Sequence, residues 1–121
     1  MEVDVRHRNG VIILKLSGKI IGSAGGELRE LINEQLIKVS GAPKFLFDFA
    51  DVPMVDSSGL GTLVGTHVSI ARKGGRIGVI NVGTSIKNLI VMGRLITIFE
   101  HFNSEDEAIA ALTSKSQLTS S

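Results

Sequence analysis

Lys44-Phe45-Leu46-Phe47-Asp48-Phe49 is the stretch that most restricts what this chain can fold into. Strand side chains alternate between two faces, and here apolar residues occupy both alternations. A short, almost continuous apolar run of this kind fits a strand covered on each side, and helices are the usual cover. Pro43 and Pro53 bracket the run, and Pro53 forbids an early helix after it.

The segments around it supply the other layers. Val3, Val5 and His7 alternate with Glu2, Asp4, Arg6 and Arg8, and Val11-Ile12-Ile13-Leu14-Lys15-Leu16 follows Asn9-Gly10. Asn-Gly between two strand-like runs predicts a hairpin, because both central residues of a type I′ turn need positive φ. Strands are expected at about 2–8 and 11–17. Leu28, Leu31, Ile32, Leu36 and Val39 fall on one helical face, with Ser23 as the expected cap, Glu27 in the first turn and Gly41-Ala42-Pro43 as the stop. After a loop over 50–56, Leu60, Leu63, Val64, His67 and Ala71 are expected to form the apolar face of a helix that begins at Ser57 and ends at Gly74-Gly75. Arg76 to Asn81 reads as a strand. Thr84 or Ser85 can cap a short helix carrying Ile86, Leu89 and Ile90, with Gly93 beyond its end. Ile96, Ile98 and Phe99 open a last strand, and Ser104-Glu105-Asp106-Glu107 matches a capping box before Ala108, Ile109, Ala111 and Leu112. The order predicts an α/β domain with a mixed four- to five-stranded sheet flanked by about four helices. The domain is expected over 1–113, with a flexible tail over 114–121.

Length and composition exclude several classes. A chain of 121 residues is one domain and buries enough surface to need no staple. It has no cysteine, hence no disulfide framework, zinc–thiolate site or thiol nucleophile. Thirteen basic residues against twelve acidic ones, with neither Trp nor Tyr, give no electrostatic or stacking basis for nucleic-acid binding. No run reaches the length of a membrane span, and Met1-Glu2-Val3-Asp4 starts on alternating polarity rather than as a signal peptide. The expectation is a small cytoplasmic domain.

Asp56-Ser57-Ser58-Gly59-Leu60-Gly61 is the candidate functional segment. A helix N-terminus presents unpaired N–H groups and partial positive charge, so a hydroxyl there is either a cap or a good acceptor for phosphate. Capping needs one such residue, and here three stand in a row. Gly59 and Gly61 each cost about 1 kcal/mol in a helix relative to Ala, which favours a bare surface that a partner can approach. Gly61 and Gly65, four apart, are expected to pack the helix closely on the sheet. Met54 and Val55 either tuck inward or form the apolar part of a docking patch. Catalysis has little support: neither serine sits in G-x-S-x-G, and His67 is too far along its helix to serve Ser57 or Ser58 with Asp48 or Asp56. No lysine follows the glycines in P-loop register. His7, His67 and His101 lack metal-ligand spacing, and Arg72-Lys73-Gly74-Gly75-Arg76 reads as a solvated helix end.

Val55-Asp56-Ser57-Ser58-Gly59-Leu60-Gly61 after an apolar strand resembles the signature of STAS domains, specifically the bacterial anti-sigma factor antagonists. The hairpin, Leu16-Ser17-Gly18-Lys19-Ile20, the Phe45–Phe49 strand, Gly74-Gly75 and the Ile77–Asn81 strand follow in family order over about residues 2–112. The resemblance implies a STAS-type fold and a switch without cofactor, metal or catalytic residues. It implies binding to an anti-sigma factor that is also a serine kinase, which releases a sigma factor. Phosphorylation at Ser58, with Ser57 as the fallback, ends that binding, and a phosphatase restores it. The partner-binding set implied is Met54, Val55, Asp56, Ser57, Ser58, Gly59, Leu60, Gly61 and Thr62, in a monomer or weak homodimer. Many members carry an acidic residue just after the second strand; Gly18-Lys19-Ile20-Ile21-Gly22 has none. The alternative is a STAS scaffold that does not switch, within a larger signalling assembly.

Overall fold

The computed structural model describes residues 1–84, 86–88 and 99–114. Its centre is a five-stranded sheet in the order β1-β2-β3-β4-β5, with β1 Glu2–Arg8, β2 Val11–Ser17, β3 Lys44–Asp51, β4 Arg76–Ile80 and β5 Glu100–Phe102. Only β1 runs antiparallel to its neighbour; β2 to β5 are parallel. The hairpin turn is as expected, with Asn9 at φ 51° and Gly10 at φ 80°. The apolar run forms the middle strand, which continues two residues past Phe49 to Asp51, shortening the expected loop.

Alternation divides the core into two layers. Ile12, Leu14 and Leu16, Phe45, Phe47 and Phe49, and Ile77 and Val79 face one side. There they meet α1 (Ala24–Lys38) through Leu28, Ile32 and Leu36, and α2 (Ser57–Arg72) through Leu63 and Ile70. Val11, Ile13, Leu46 and Ile80 face the other side and meet Ala108, Ile109 and Leu112 of α3 (Glu105–Leu112). Connecting parallel neighbours always in the same direction places both crossover helices, α1 and α2, on one face. Gly78 is needed beneath α3, since a Cβ there would lie 2.9 Å from the Phe102 ring and 3.3 Å from Leu112.

The helix ends differ in how they are made. Ser104 Oγ accepts the Glu107 N–H at 3.1 Å, as the capping-box pattern predicts. Ser23 occupies the N-cap position of α1 but makes no side-chain cap; its backbone is already helical, at φ −70° and ψ −12°. A cap hydroxyl swings back to the N–H groups only from extended backbone. Arg76, expected at a solvated end, instead binds the Glu100 carboxylate through Nε at 2.8 Å and through Nη2, and donates from Nη1 to the Ala111 carbonyl at 2.8 Å. Thr84 and residues 86–88 are helical, with Ile86 in the core. Phe99 is buried at a bend rather than in a strand. Ser85, Leu89, Ile90, Gly93, Ile96, Ile98 and all of the expected tail beyond Ser114 lie outside the described residues.

Candidate functional site

Two loops leave the carboxyl ends of β2 and β3 side by side and join before α2 begins. Gly18 N–H donates to the Asp51 carbonyl at 2.9 Å and Ile20 N–H to the Met54 carbonyl at 2.9 Å; Asp56 N–H returns a bond to the Ile20 carbonyl at 3.2 Å. Ile20 and Val55 form a short parallel bridge and are both buried. Gly18 and Gly22 take positive φ, 93° and 57°, which lets the first loop turn tightly around this contact.

Asp56 ties the loops to the helix. One carboxylate oxygen accepts the Gly59 N–H at 2.8 Å, capping α2, and the other accepts the Gly22 N–H at 3.0 Å. These bonds to the ionised form hold its pKa below the ordinary carboxylate value. The N-cap position is therefore filled by Asp56 alone. Ser57 and Ser58 are exposed at the first two helical positions, and among the described residues neither hydroxyl is engaged in a hydrogen bond.

Gly59 and Gly61 are not alike. A Cβ on Gly59 would sit 2.5 Å from the Ile20 carbonyl oxygen and 2.9 Å from both Ile20 Cγ2 and Val55 Cγ1, so the loop packs onto bare backbone. Gly25, in the first turn of α1, makes a similar approach: its Cβ would lie 2.8 Å from Thr62 Oγ1 and 3.3 Å from the Ser58 carbonyl. The two helix N-termini therefore meet at glycines. Gly61 and Gly65 have nothing within 4 Å of a Cβ. The expected close packing on the sheet at those two positions is overturned; the close approaches are instead at Gly59, against the Ile20 loop, and at Gly25, against the start of α2.

The buried face of α2 also differs from expectation. It consists of Gly59, Thr62, Leu63, Thr66 and Ile70, while Leu60, Val64 and His67 are half-buried and Ala71 is exposed. Thr62 and Thr66 reach the interior because each hydroxyl donates to a carbonyl one turn back, Ser58 at 3.2 Å and Thr62 at 2.8 Å. A satisfied hydroxyl costs little to bury, and the helix rotates to place its small residues against α1. His67 meets the edge of the Phe99 ring, with centroids 6.3 Å apart, away from both serines.

Of the expected partner-binding residues, the surface presents Met54 (50 % exposed), Ser57, Ser58 and Gly61, with Asp56 and Leu60 partly open. Val55, Gly59 and Thr62 are buried and form the floor beneath them. Sequence reasoning missed Ile21, a second exposed apolar side chain at 40 % on the neighbouring loop, and Gly22, whose N–H holds Asp56. The glycine-rich composition of residues 18–26 is a loop signal, but it does not say what the loop pairs with.

Comparison with known proteins bears on this arrangement. The model of the STAS domain family matches residues 2–108. An anti-sigma F factor antagonist of Paenibacillus polymyxa is 27 % identical over 112 residues, covering 93 % of this chain and 95 % of that protein. The crystal structure of an anti-sigma factor antagonist from Mycobacterium paratuberculosis superposes with a TM-score of 0.80 at 23 % identity, covering 93 % of this chain and 94 % of that one. The Bacillus cell fate determinant SpoIIAA in its phosphorylated form gives a TM-score of 0.72 at 18 % identity, covering 91 % and 98 %. At such identities the two structures speak for the fold. No helix among the described residues is long and apolar enough to cross a membrane.

Proposed function

The chain belongs to the STAS domain family, and from that premise we propose that it is an anti-sigma factor antagonist switched off by phosphorylation at Ser58. The observation that carries this reading is the division of labour at the mouth of α2. Asp56 satisfies the cap, so the adjacent hydroxyls are left exposed and unengaged. The unmodified protein presents Met54, Ser57, Ser58, Leu60 and Gly61 to an anti-sigma factor, and the bound anti-sigma factor releases its sigma factor. That partner is also the kinase, and a phosphatase resets the switch. The reading is regulatory rather than catalytic, and it places the protein in the cytoplasm.

A phosphate adds about −1.5 to −2 charges at neutral pH. At the N-terminus of α2 it is favoured by the local N–H groups, so the fold need not change. A partner packed on bare Ser58 instead meets a dianion beside the Asp56 carboxylate. Desolvating that charge without a cation opposes binding by several kcal/mol, a loss of at least about a hundredfold.

Incubation with the cognate anti-sigma factor kinase and ATP, followed by peptide mass mapping, tests the assignment. Phosphate on Ser58 is expected, and phosphate on Ser57 alone moves the acceptor by one residue. No phosphate from a partner that demonstrably binds leaves a scaffold that does not switch. Ser58→Ala is expected to keep wild-type partner affinity and resist inactivation, and Ser58→Asp to bind poorly. Wild-type affinity in both variants contradicts the switch.

A further inference from the structure

Among the described residues, β1 is the outer strand on one side of the sheet and pairs with β2 alone. It runs seven residues in uninterrupted register, with neither proline, glycine nor bulge. Its outer row of backbone donors and acceptors has no ladder partner among the described residues. Such an edge accepts another strand unless something blocks it.

The charges on β1 are ordered. Glu2 and Asp4 occupy its first half, Arg6 and Arg8 its second, all on the face opposite Val3 and Val5, which pack against the core. Place a second β1 antiparallel to the first, about a two-fold axis through Val5. Glu2 then opposes Arg8, Asp4 opposes Arg6, Val3 opposes His7, and Val5 opposes its own copy. A shift of two residues sets Asp4 against Asp4 or Arg6 against Arg6. A shift of one turns the charged face of one strand onto the apolar face of the other. Only one register opposes each of the four charges with its opposite, and it is self-complementary, as a two-fold interface requires.

The arginines are held ready for it. Arg6 binds Glu105 of α3, and Arg8 binds Glu105 at 2.9 Å and Asp106 at 2.7 Å. Their side chains still remain 46 % and 40 % exposed, and a guanidinium has five donors, so from across the axis Arg6 can bind a second carboxylate and Arg8 a third.

We propose that β1 is a homodimerisation edge, through which two copies of this chain form one continuous sheet across a two-fold axis, in the register that pairs Asp4 with Arg6 and Glu2 with Arg8. This surface is separate from the serines, which lie beyond the carboxyl end of β3 rather than along the sheet edge.

Sedimentation equilibrium of the full chain, from micromolar to millimolar concentration, tests it with a charge swap. The wild-type mass is expected to rise from 12.9 kDa toward twice that value as concentration increases. Asp4→Arg, which leaves the Glu105 contacts untouched, replaces two attractive pairs by two repulsive ones. It should weaken the dimer about tenfold or more, as should Arg6→Asp. The double variant Asp4→Arg/Arg6→Asp restores opposite charges in the same register and should return to within about threefold of wild type. All four chains are compared where circular dichroism shows them folded. A wild type that stays monomeric at millimolar concentration, single variants that associate like wild type, or a double variant as weak as the singles overturns the proposal.

Discussion

Alanine at Gly59 and alanine at Gly61 should move stability in opposite directions, although both glycines lie in the first two turns of the same helix. Either substitution gains helix propensity, worth up to about 1 kcal/mol. At Gly61 a new methyl meets nothing within 4 Å, so that gain stands alone. At Gly59 the methyl would lie 2.5 Å from the Ile20 carbonyl oxygen, and reaching ordinary contact near 3.4 Å requires about 0.9 Å of separation. That displacement acts against backbone, so no side-chain rotation relieves it. It pulls on the Asp56 N–H bond to the same Ile20 oxygen, which is already 3.2 Å long. Overpacking costs about 1–3 kcal/mol, and a lost backbone hydrogen bond about 1 kcal/mol more. After the propensity gain, Gly59→Ala should destabilise by roughly 1–3 kcal/mol. At roughly 3–6 °C per kcal/mol for a chain of this length, the two variants should melt to opposite sides of wild type. Thermal and urea unfolding followed by circular dichroism read both. A Gly59→Ala protein as stable as Gly61→Ala, or a Gly61→Ala protein less stable than wild type, would refute the packing argument.

Other perturbations test separate parts of the account. The Asp56 carboxyl has a lowered folded-state pKa because Gly59 and Gly22 donate to it. Such a group adds stability above its unfolded pKa and loses it as pH falls through the folded one. Asp56→Asn should therefore be less stable than wild type at pH 7, with the gap closing below about pH 4; an unchanged gap at pH 2 in urea titrations contradicts this. Ser104→Ala removes the cap of α3 and should cost about 1 kcal/mol in chemical denaturation. Arg76→Met removes the link joining β4, Glu100 and the Ala111 carbonyl, and should cost about 1–3 kcal/mol, with faster hydrogen exchange in β5 and α3. Uniform exchange rates there would mean that the link is dispensable.

What could be read from sequence was local. Asn9-Gly10 specifies its own turn, Ser104 and Glu107 specify their own cap, and the Phe45–Phe49 run states that both faces are covered. The misreadings arose where a distant partner decides. Leu60, Val64 and His67 look like a core face, but Thr62 and Thr66 can hide their hydroxyls in the helix's own carbonyls, and α1 brings Gly25 against them. Gly59 and Gly61 look equivalent until the loop carrying Ile20 is set against one of them. Ser23 has the right identity and position for a cap, but the turn through Gly22 delivers it already helical. In the candidate site, a helix start with one cap among Asp56, Ser57 and Ser58 was legible; that Asp56 is the one, the role of Gly22 and the exposure of Ile21 depended on two loops meeting.

The most direct test of the switch compares unmodified protein with protein carrying phosphate on Ser58 alone, titrated calorimetrically against the cognate anti-sigma factor. The account predicts superimposable backbone amide spectra away from the start of α2 and an affinity lower by at least about a hundredfold. Equal affinities, or a loss of binding that accompanies unfolding of the phosphorylated chain, would contradict it.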